Sequence, residues 1–225
     1  MTTRKTSLKS IGEGIAGAAL IAGNVLMPFL RPWRVRWGAT DEEVKKKLPG
    51  DDAVSHPRVG WTHAITVQAP IEKVWPWLAQ IGQGRGGFYS YEFLENLVGC
   101  QIYNADQILP DCQDLQVGDS ISLHPLAQLP VALLEPGRGY LLSVDISKLT
   151  QPDNTAVDNP IIVGWLIYSY PLDEKSCRVI SRWRVSYKPG FKNELSFGKP
   201  IIEPLGFVMD RKMLLGIKQR AERAQ

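Results

Sequence analysis

The sequence predicts an α+β fold: a curved antiparallel β-sheet wrapped around a long C-terminal α-helix, with two short helices after the first strand and an extra apolar helix at the N-terminus. Three observations predict it. Alternating strand patterns occur at residues 61–68 and again through residues 120–187, joined by turns short enough to impose antiparallel pairing. One late segment, residues 203–224, has helical periodicity long enough to cover the apolar face of such a sheet. The first 35 residues are apolar and basic, unlike the rest. The composition, with 44% apolar and 22% charged residues and three cysteines among 225, excludes a disordered chain, a disulfide scaffold and a multi-span membrane protein.

The N-terminal helix comes first. Residues 14–30 (GIAGAALIAGNVLMPFL) hold no ionisable group. These 17 residues sit at the lower limit for a bilayer span, which needs about 20. Arg4, Lys5 and Lys9 precede the run and Arg31, Arg34 and Arg36 follow it, so charge leaves the orientation open. Trp33 and Trp37 lie where an interfacial aromatic belt would place them. Three readings compete. A membrane anchor or interfacial helix makes contact through residues 11–37 and sets the protein on the cytoplasmic side of a membrane. A helix packed on the domain through Gly12, Gly14, Gly17 and Gly23 leaves it cytoplasmic. A cleaved signal peptide lacks a clear cleavage site before RPWRVRWG, and an odd cysteine count without a glycosylation sequon lends it no support.

Thr40 caps a short helix carrying Asp41, Glu42 and Glu43 in its first turn, and Pro49-Gly50 ends it. Residues 36–60 therefore read as a short helix and linker between residues 1–35 and a domain of residues 61–225. The first strand places Trp61, His63, Ile65 and Val67 on one face. Ala69-Pro70 stops it. Residues 71–81 (IEKVWPWLAQI) follow at helical spacing, with Pro76 set to kink or shorten the helix. A glycine-rich turn at 82–87 precedes the second short helix, residues 89–98. Residues 120–124, 130–135, 139–146, 163–170 and 177–187 read as strands, with Pro136-Gly137 a hairpin turn and residues 150–160 a polar loop. Along the last strand Cys177, Val179, Ser181, Trp183, Val185 and Tyr187 share one face. Arg178, Ile180, Arg182, Arg184 and Ser186 share the other, which reads as mostly wet. Residues 189–204, with three prolines, read as a loop. The final helix bears an apolar stripe of Leu205, Val208, Met209, Met213, Ile217 and Ala221. A curved sheet around one helix leaves space between them, and such space is a ligand cavity. This is a helix-grip architecture.

The residues then resemble a known superfamily. ITVQAPIEKVWPWLAQIG (65–82), GQGRGGFYSYEFLENLVG (82–99), NADQILP (104–110) and LQVGDSI (115–121) are similar to a bacterial subgroup of the SRPBCC superfamily, the START-like helix-grip proteins that include polyketide cyclases. RWGATDEEV (36–44) and MDRKMLLGIKQRAE (209–222) resemble the flanks of that subgroup. The resemblance implies binding of a hydrophobic small molecule, such as a lipid, an isoprenoid or a polyketide-like compound, with chemistry on it in some members.

The candidate ligand-binding residues are those that strand and helix faces direct inward. They are Trp61, His63 and Ile65 on the first strand, Trp165, Trp183 and Tyr187 on later strands, and Met209 and Met213 on the last helix. Arg85, Phe88, Tyr89 and Tyr91 join them from the glycine-rich turn and the segment after it. Buried Tyr and Trp need polar partners and so make natural handles in an apolar pocket. If the protein is a cyclase or aromatase, Arg85, Tyr89, Asp106 and His63 are the candidate proton movers, and at least two must meet in the cavity. Whether the protein is an enzyme at all stays open on the sequence, and a membrane-tethered interaction protein without a ligand is the third reading. Glu92 and Glu95, at i and i+3, read as helix-surface acids, and Arg85 reads as their partner. The cysteines read as buried thiols. No spacing matches a metal loop, so no metal or other cofactor is expected. Basic charge also argues against nucleic acid. Residues 1–40 carry six basic residues against Glu13, whereas residues 41–225 carry 20 basic and 22 acidic residues.

Overall fold

The structure is a computed structural model that describes residues 7–146 and 160–223. Nearly all of the polar loop expected over 150–160 lies outside the described residues, as does the expected end of the last helix at Ala224. Six strands form one antiparallel sheet: β1 (Val59–Val67), β2 (Ser120–His124), β3 (Ala127–Glu135), β4 (Gly139–Asp145), β5 (Ile162–Pro171) and β6 (Cys177–Ser186). Their spatial order is β1-β6-β5-β4-β3-β2, so consecutive strands are neighbours except where β1 returns beside β6. Register irregularities between Ser122 and His124 and between Val131 and Leu133 bend the far strands.

Cross-strand rows follow from that register. Trp61 faces Trp183, which faces Trp165; His63 faces Ser181, which faces Ile167. The concave face is thus a row of three tryptophans beside a row of His63, Ser181 and Ile167. The helix α7 (Lys199–Arg223) lies across it. Sequence placed the start of this helix near Glu203, after a loop. Instead α6 (Phe191–Phe197) and the first turn of α7 replace the loop. Pro200 falls in the first turn, where its missing N–H has no intrahelical acceptor to lose, so the proline does not delay the helix.

The opposite face of the sheet is not wet. Residues 36–58 cross it as a strap holding α3 (Asp41–Lys45) and a 3-10 turn (Asp51–Val54). Leu48, Ala64, Leu141, Leu166 and Ile180 form a second apolar cluster beneath the strap. Arg182 is buried here, donating to Asp51 Oδ2 at 2.6 Å, to the Lys46 carbonyl at 2.9 Å and to Thr62. Arg178 donates to both carboxylate oxygens of Glu43. The arginines that sequence assigned to solvent are the fasteners of the strap: alternation marks which residues share a face, not whether that face is covered.

The apolar N-terminal run is broken. Helix α1 (Leu8–Leu26) stops at Met27, and a 3-10 turn (Pro28–Leu30) and α2 (Arg31–Arg34) leave it at 93°. No single helix among the described residues is long and apolar enough to cross a membrane; the bent pair passes only together, by length and composition. Helix α1 packs on the outside of α7 and on α5 (Glu92–Leu97). At Gly17 a Cβ would lie 2.9 Å from the Tyr91 ring, and at Gly14 one would lie 2.5 Å from Phe93, so both must be glycine for this approach. Trp37 is not a belt residue, for it packs against the main core with Arg211 over its ring. Basic residues of α7 are likewise engaged: Lys212 pairs with Glu13 at 3.0 Å and Arg220 with Asp106 at 3.1 Å.

One stability consequence can be measured. Burial pushes the Glu43 carboxyl up, but hydrogen bonds from Arg178, the Thr40 N–H and Tyr170, with the Arg178 charge, outweigh it and hold the group at about 2. A depressed carboxylate stabilises the fold above its unfolded value near 4.5 and loses that contribution as pH falls towards 2. The contribution is roughly 3 kcal/mol at most. Glu43→Gln is expected to flatten the fall in unfolding free energy between pH 5 and pH 2, read by urea denaturation; an unchanged pH profile would show that the strap is not held by this carboxylate.

Candidate functional site

Between the concave face and α7 lies a cavity of about 400 Å³. Its walls are the tryptophan row, Phe88, Leu129 and Val163 on the sheet side, and Phe197, Ile202, Leu205, Met209 and Met213 from α6 and α7. Trp165 and Trp183 stack at 4.9 Å and Trp183 meets Trp61 at 5.7 Å, so the aromatic wall is continuous. Gly206 permits the helix to lie on this wall, since a Cβ there would come within 2.3 Å of the Trp61 ring. Among the described residues, three with polar side chains other than indoles line the space: Ser90, Glu95 and Asp210.

Asp210 is saturated. Trp61 Nε1 donates to its Oδ2 at 3.0 Å, and the Ser181 hydroxyl donates to its Oδ1 at 3.0 Å while accepting from Trp165 Nε1. His63 Nδ1 lies 2.8 Å from Oδ2. His63 Nε2 lies 2.9 Å from the Arg34 carbonyl, which only accepts, so Nε2 carries a proton. Each row of the sheet thus sends a donor to one carboxylate on α7, and α2 closes the far side through the histidine.

Glu95 is different. It stands on α5, buried, with the Ser90 hydroxyl on Oε1. Its Oε2 is buried and has no partner among the described residues. Burial pushes its carboxyl up to about 7; the Ser90 hydrogen bond pulls down and the charge of Glu92 pushes up further. The loop before it is over-determined. Tyr89 has φ of +57°, its N–H donates to Asn104 Oδ1 at 2.6 Å, and its hydroxyl donates to the Trp77 carbonyl. Asn104 also donates to the Ser90 carbonyl and takes Glu92 on its own N–H. The NADQILP stretch is therefore a clamp on the turn that carries Ser90 and Glu95.

Of the residues singled out from sequence, Trp61, Phe88, Trp165, Trp183, Met209 and Met213 line the cavity. His63 is fully buried behind Asp210. Ile65 packs in the core one row away, and Tyr91 packs with Phe207 and Val208 under α1. Tyr187 turns its hydroxyl to Glu194, outside the cavity. Arg85 does not pair with Glu92 or Glu95; it donates to the Ala79 and Cys112 carbonyls and ties the glycine-rich turn down. Asp106 is exposed and meets Arg220, which lies over the Tyr89 ring at 4.7 Å, so these two candidates share an outer groove rather than the cavity. Of the three thiols only Cys177 is fully buried. Among the described residues no group of three acids, histidines or cysteines could hold a metal ion. Sequence reading did not single out Asp210 and took Glu95 as a surface acid. The available signal was helical spacing, because Asp210 falls three residues before Met213 and Glu95 falls one turn after Tyr91.

No family model matches this chain, and no curated protein matches it. Solved structures do. A conserved protein from Geobacillus kaustophilus is 11% identical, covering 74% of this chain and 97% of its own, with a TM-score of 0.40. A polyketide-cyclase-like protein from Corynebacterium glutamicum is 18% identical, covering 73% and 92%, with a TM-score of 0.35. An aromatase/cyclase from a Streptomyces species is 12% identical, covering 75% and 95%, with a TM-score of 0.35. The fold itself is helix-grip: a curved antiparallel sheet with a long C-terminal helix lying on it.

The Asp210 network makes a measurable claim. Asp210→Leu leaves the Trp61 N–H and the Ser181 hydroxyl without their acceptor and His63 Nδ1 without its partner, and is expected to lower the unfolding free energy by about 3 kcal/mol in urea denaturation. A loss below about 1 kcal/mol would show that the carboxylate is not what seats α7.

Proposed function

We propose that this protein binds a hydrophobic small molecule in the cavity between the sheet and α7. One observation carries the reading: an apolar space of about 400 Å³ walled by three tryptophans, two methionines and aliphatic side chains, where the polar side chains among the described residues, indoles aside, are Ser90, Glu95 and Asp210. That size and mixture suit a small lipid, isoprenoid or polyketide-like compound, whose burial is driven by the apolar area removed from water. Cyclase or aromatase chemistry by the residues expected from sequence would need two of Arg85, Tyr89, Asp106 and His63 in the cavity, and none of them lines it. The names borne by the similar structures agree with the class of ligand without choosing between binding and turnover.

Native mass spectrometry of the purified full chain, followed by organic extraction, is expected to recover an apolar compound. Leu129→Trp, which fills the cavity from β3, is expected to cut that recovery at least tenfold while the chain stays folded by circular dichroism. Recovery that is nil in both proteins, or equal in both, would remove the proposal.

A second observation favours peripheral contact with a lipid surface. At the end of α1 and on the bent segment after it, Leu26 is 79%, Phe29 74% and Trp33 52% exposed, with Arg31 and Arg36 nearby in the chain. Flotation of the full chain with vesicles containing anionic lipid is expected to drop at least fivefold in a Phe29→Ser, Trp33→Ser double variant. Equal flotation would rule out this surface.

A further inference from the structure

The two acids that face the cavity are not equivalent, and the difference says what kind of ligand the cavity takes. Both oxygens of Asp210 already have polar partners on the sheet. Glu95 is more than nine-tenths buried, lines the same cavity, and has one oxygen held by Ser90 and the other with no partner among the described residues. A buried polar atom without a partner is costly, on the order of 1–3 kcal/mol, and folded chains keep such atoms where something else satisfies them. The backbone around it is held at matching expense. Tyr89, immediately before Ser90, sits in the left-handed region, which a tyrosine seldom adopts, and Asn104 hydrogen-bonds on both sides of it to keep it there. The strained, clamped loop fixes Ser90, and Ser90 fixes which oxygen of Glu95 is left free.

We infer that Glu95 is the polar anchor of the cavity, presenting its free Oε2 to a neutral oxygen acceptor, a ketone or aldehyde carbonyl, on an otherwise apolar ligand. The inference rests on the cavity-binding reading and narrows it. The Ser90 hydroxyl donates to Oε1, so in the neutral acid the carboxyl proton sits on Oε2 and points to a ligand. Burial and the Glu92 charge favour that neutral form. In a space walled by indoles and methionines one such donor discriminates strongly between a carbonyl compound and its hydrocarbon analogue, because the donor stays unpaired with the latter.

The probes are prodan, a neutral naphthyl ketone whose emission reports hydrogen bonding at its carbonyl, and anthracene, a hydrocarbon of similar size. The full wild-type chain is expected to bind both, with the bound prodan emission red-shifted by the hydrogen bond. Glu95→Leu is expected to weaken prodan about tenfold and abolish the red shift while leaving anthracene within about twofold. Glu95→Gln, whose amide also donates, is expected to keep prodan within about threefold and to keep the shift. Unchanged prodan affinity and emission in Glu95→Leu would overturn the assignment with the cavity reading intact. A Glu95-dependent preference for naphthylmethylamine over prodan would overturn it as well, since Glu95 would then act as an ionised counter-ion. Failure of the wild type to bind either probe would overturn the cavity reading and the anchor together, a pattern distinct from the first because anthracene is lost too.

Discussion

The Asp210 carboxylate is the contact on which the rest of the architecture depends. It is a single acid on a long helix, placed over two adjacent rows of the sheet, and it accepts hydrogen bonds from Trp61 and Ser181 while His63 Nδ1 lies 2.8 Å from Oδ2. An isolated charge buried at this depth would be prohibitive; polar partners on both oxygens make it tolerable. The geometry sets three things at once. It fixes the height of α7 above the sheet, it orients the indoles that wall the cavity, and through His63 it reaches the Arg34 carbonyl and so the chain that leads out of α1. Hydrophobic contact alone would let α7 slide or rotate over the tryptophan row. A directional acceptor at one position does not.

The N-terminal quarter of the chain closes the structure from two sides. Residues 36–58 cover the face of the sheet away from the cavity, using Arg178 and Arg182 against Glu43 and Asp51. Helix α1 covers the outer side of α7, with glycines at the points of closest approach. Arg31 holds the bend with a bidentate pair to Glu203, 2.7 and 2.8 Å, a carboxylate almost wholly buried at the start of α7. The C-terminal helix is therefore an interior element between sheet and α1. That is why its charged residues mostly have partners and why Asp210 can be both charged in type and central in place.

Much of the fold was legible in the residues. Strand alternation located β1, β5 and β6 to within two residues and identified which side chains share the concave face, because a pleated strand has no freedom to change that parity. Hence Trp61, Trp165 and Trp183, each read on its own strand, arrive in one row. Loop and turn segments were less legible. The residues from Arg85 to Tyr91 are aromatic and glycine-rich, which says they are packed but not towards what, and only Phe88 of the four named there meets the cavity. Arg85 found two backbone carbonyls in place of an acid, a choice made by the path of residues 79–112 and invisible in composition. Glu95 and Asp210 were passed over for one reason: an acid on a short or long amphipathic helix faces water unless a second layer covers it.

By itself the sequence determined the secondary structure, the parity of the strands, the wrapping of a sheet around one helix and the aromatic character of the space between them. These are consequences of local periodicity and of burying an apolar face. Tertiary structure alone decided which polar groups stand in that space, because burial of a charged side chain depends on elements far away in the chain. Helix α1 and the strap turn faces that look wet into interior. Asp210 thereby becomes a structural acceptor with a partner on each oxygen, and Glu95 becomes the acid with one oxygen unpartnered among the described residues.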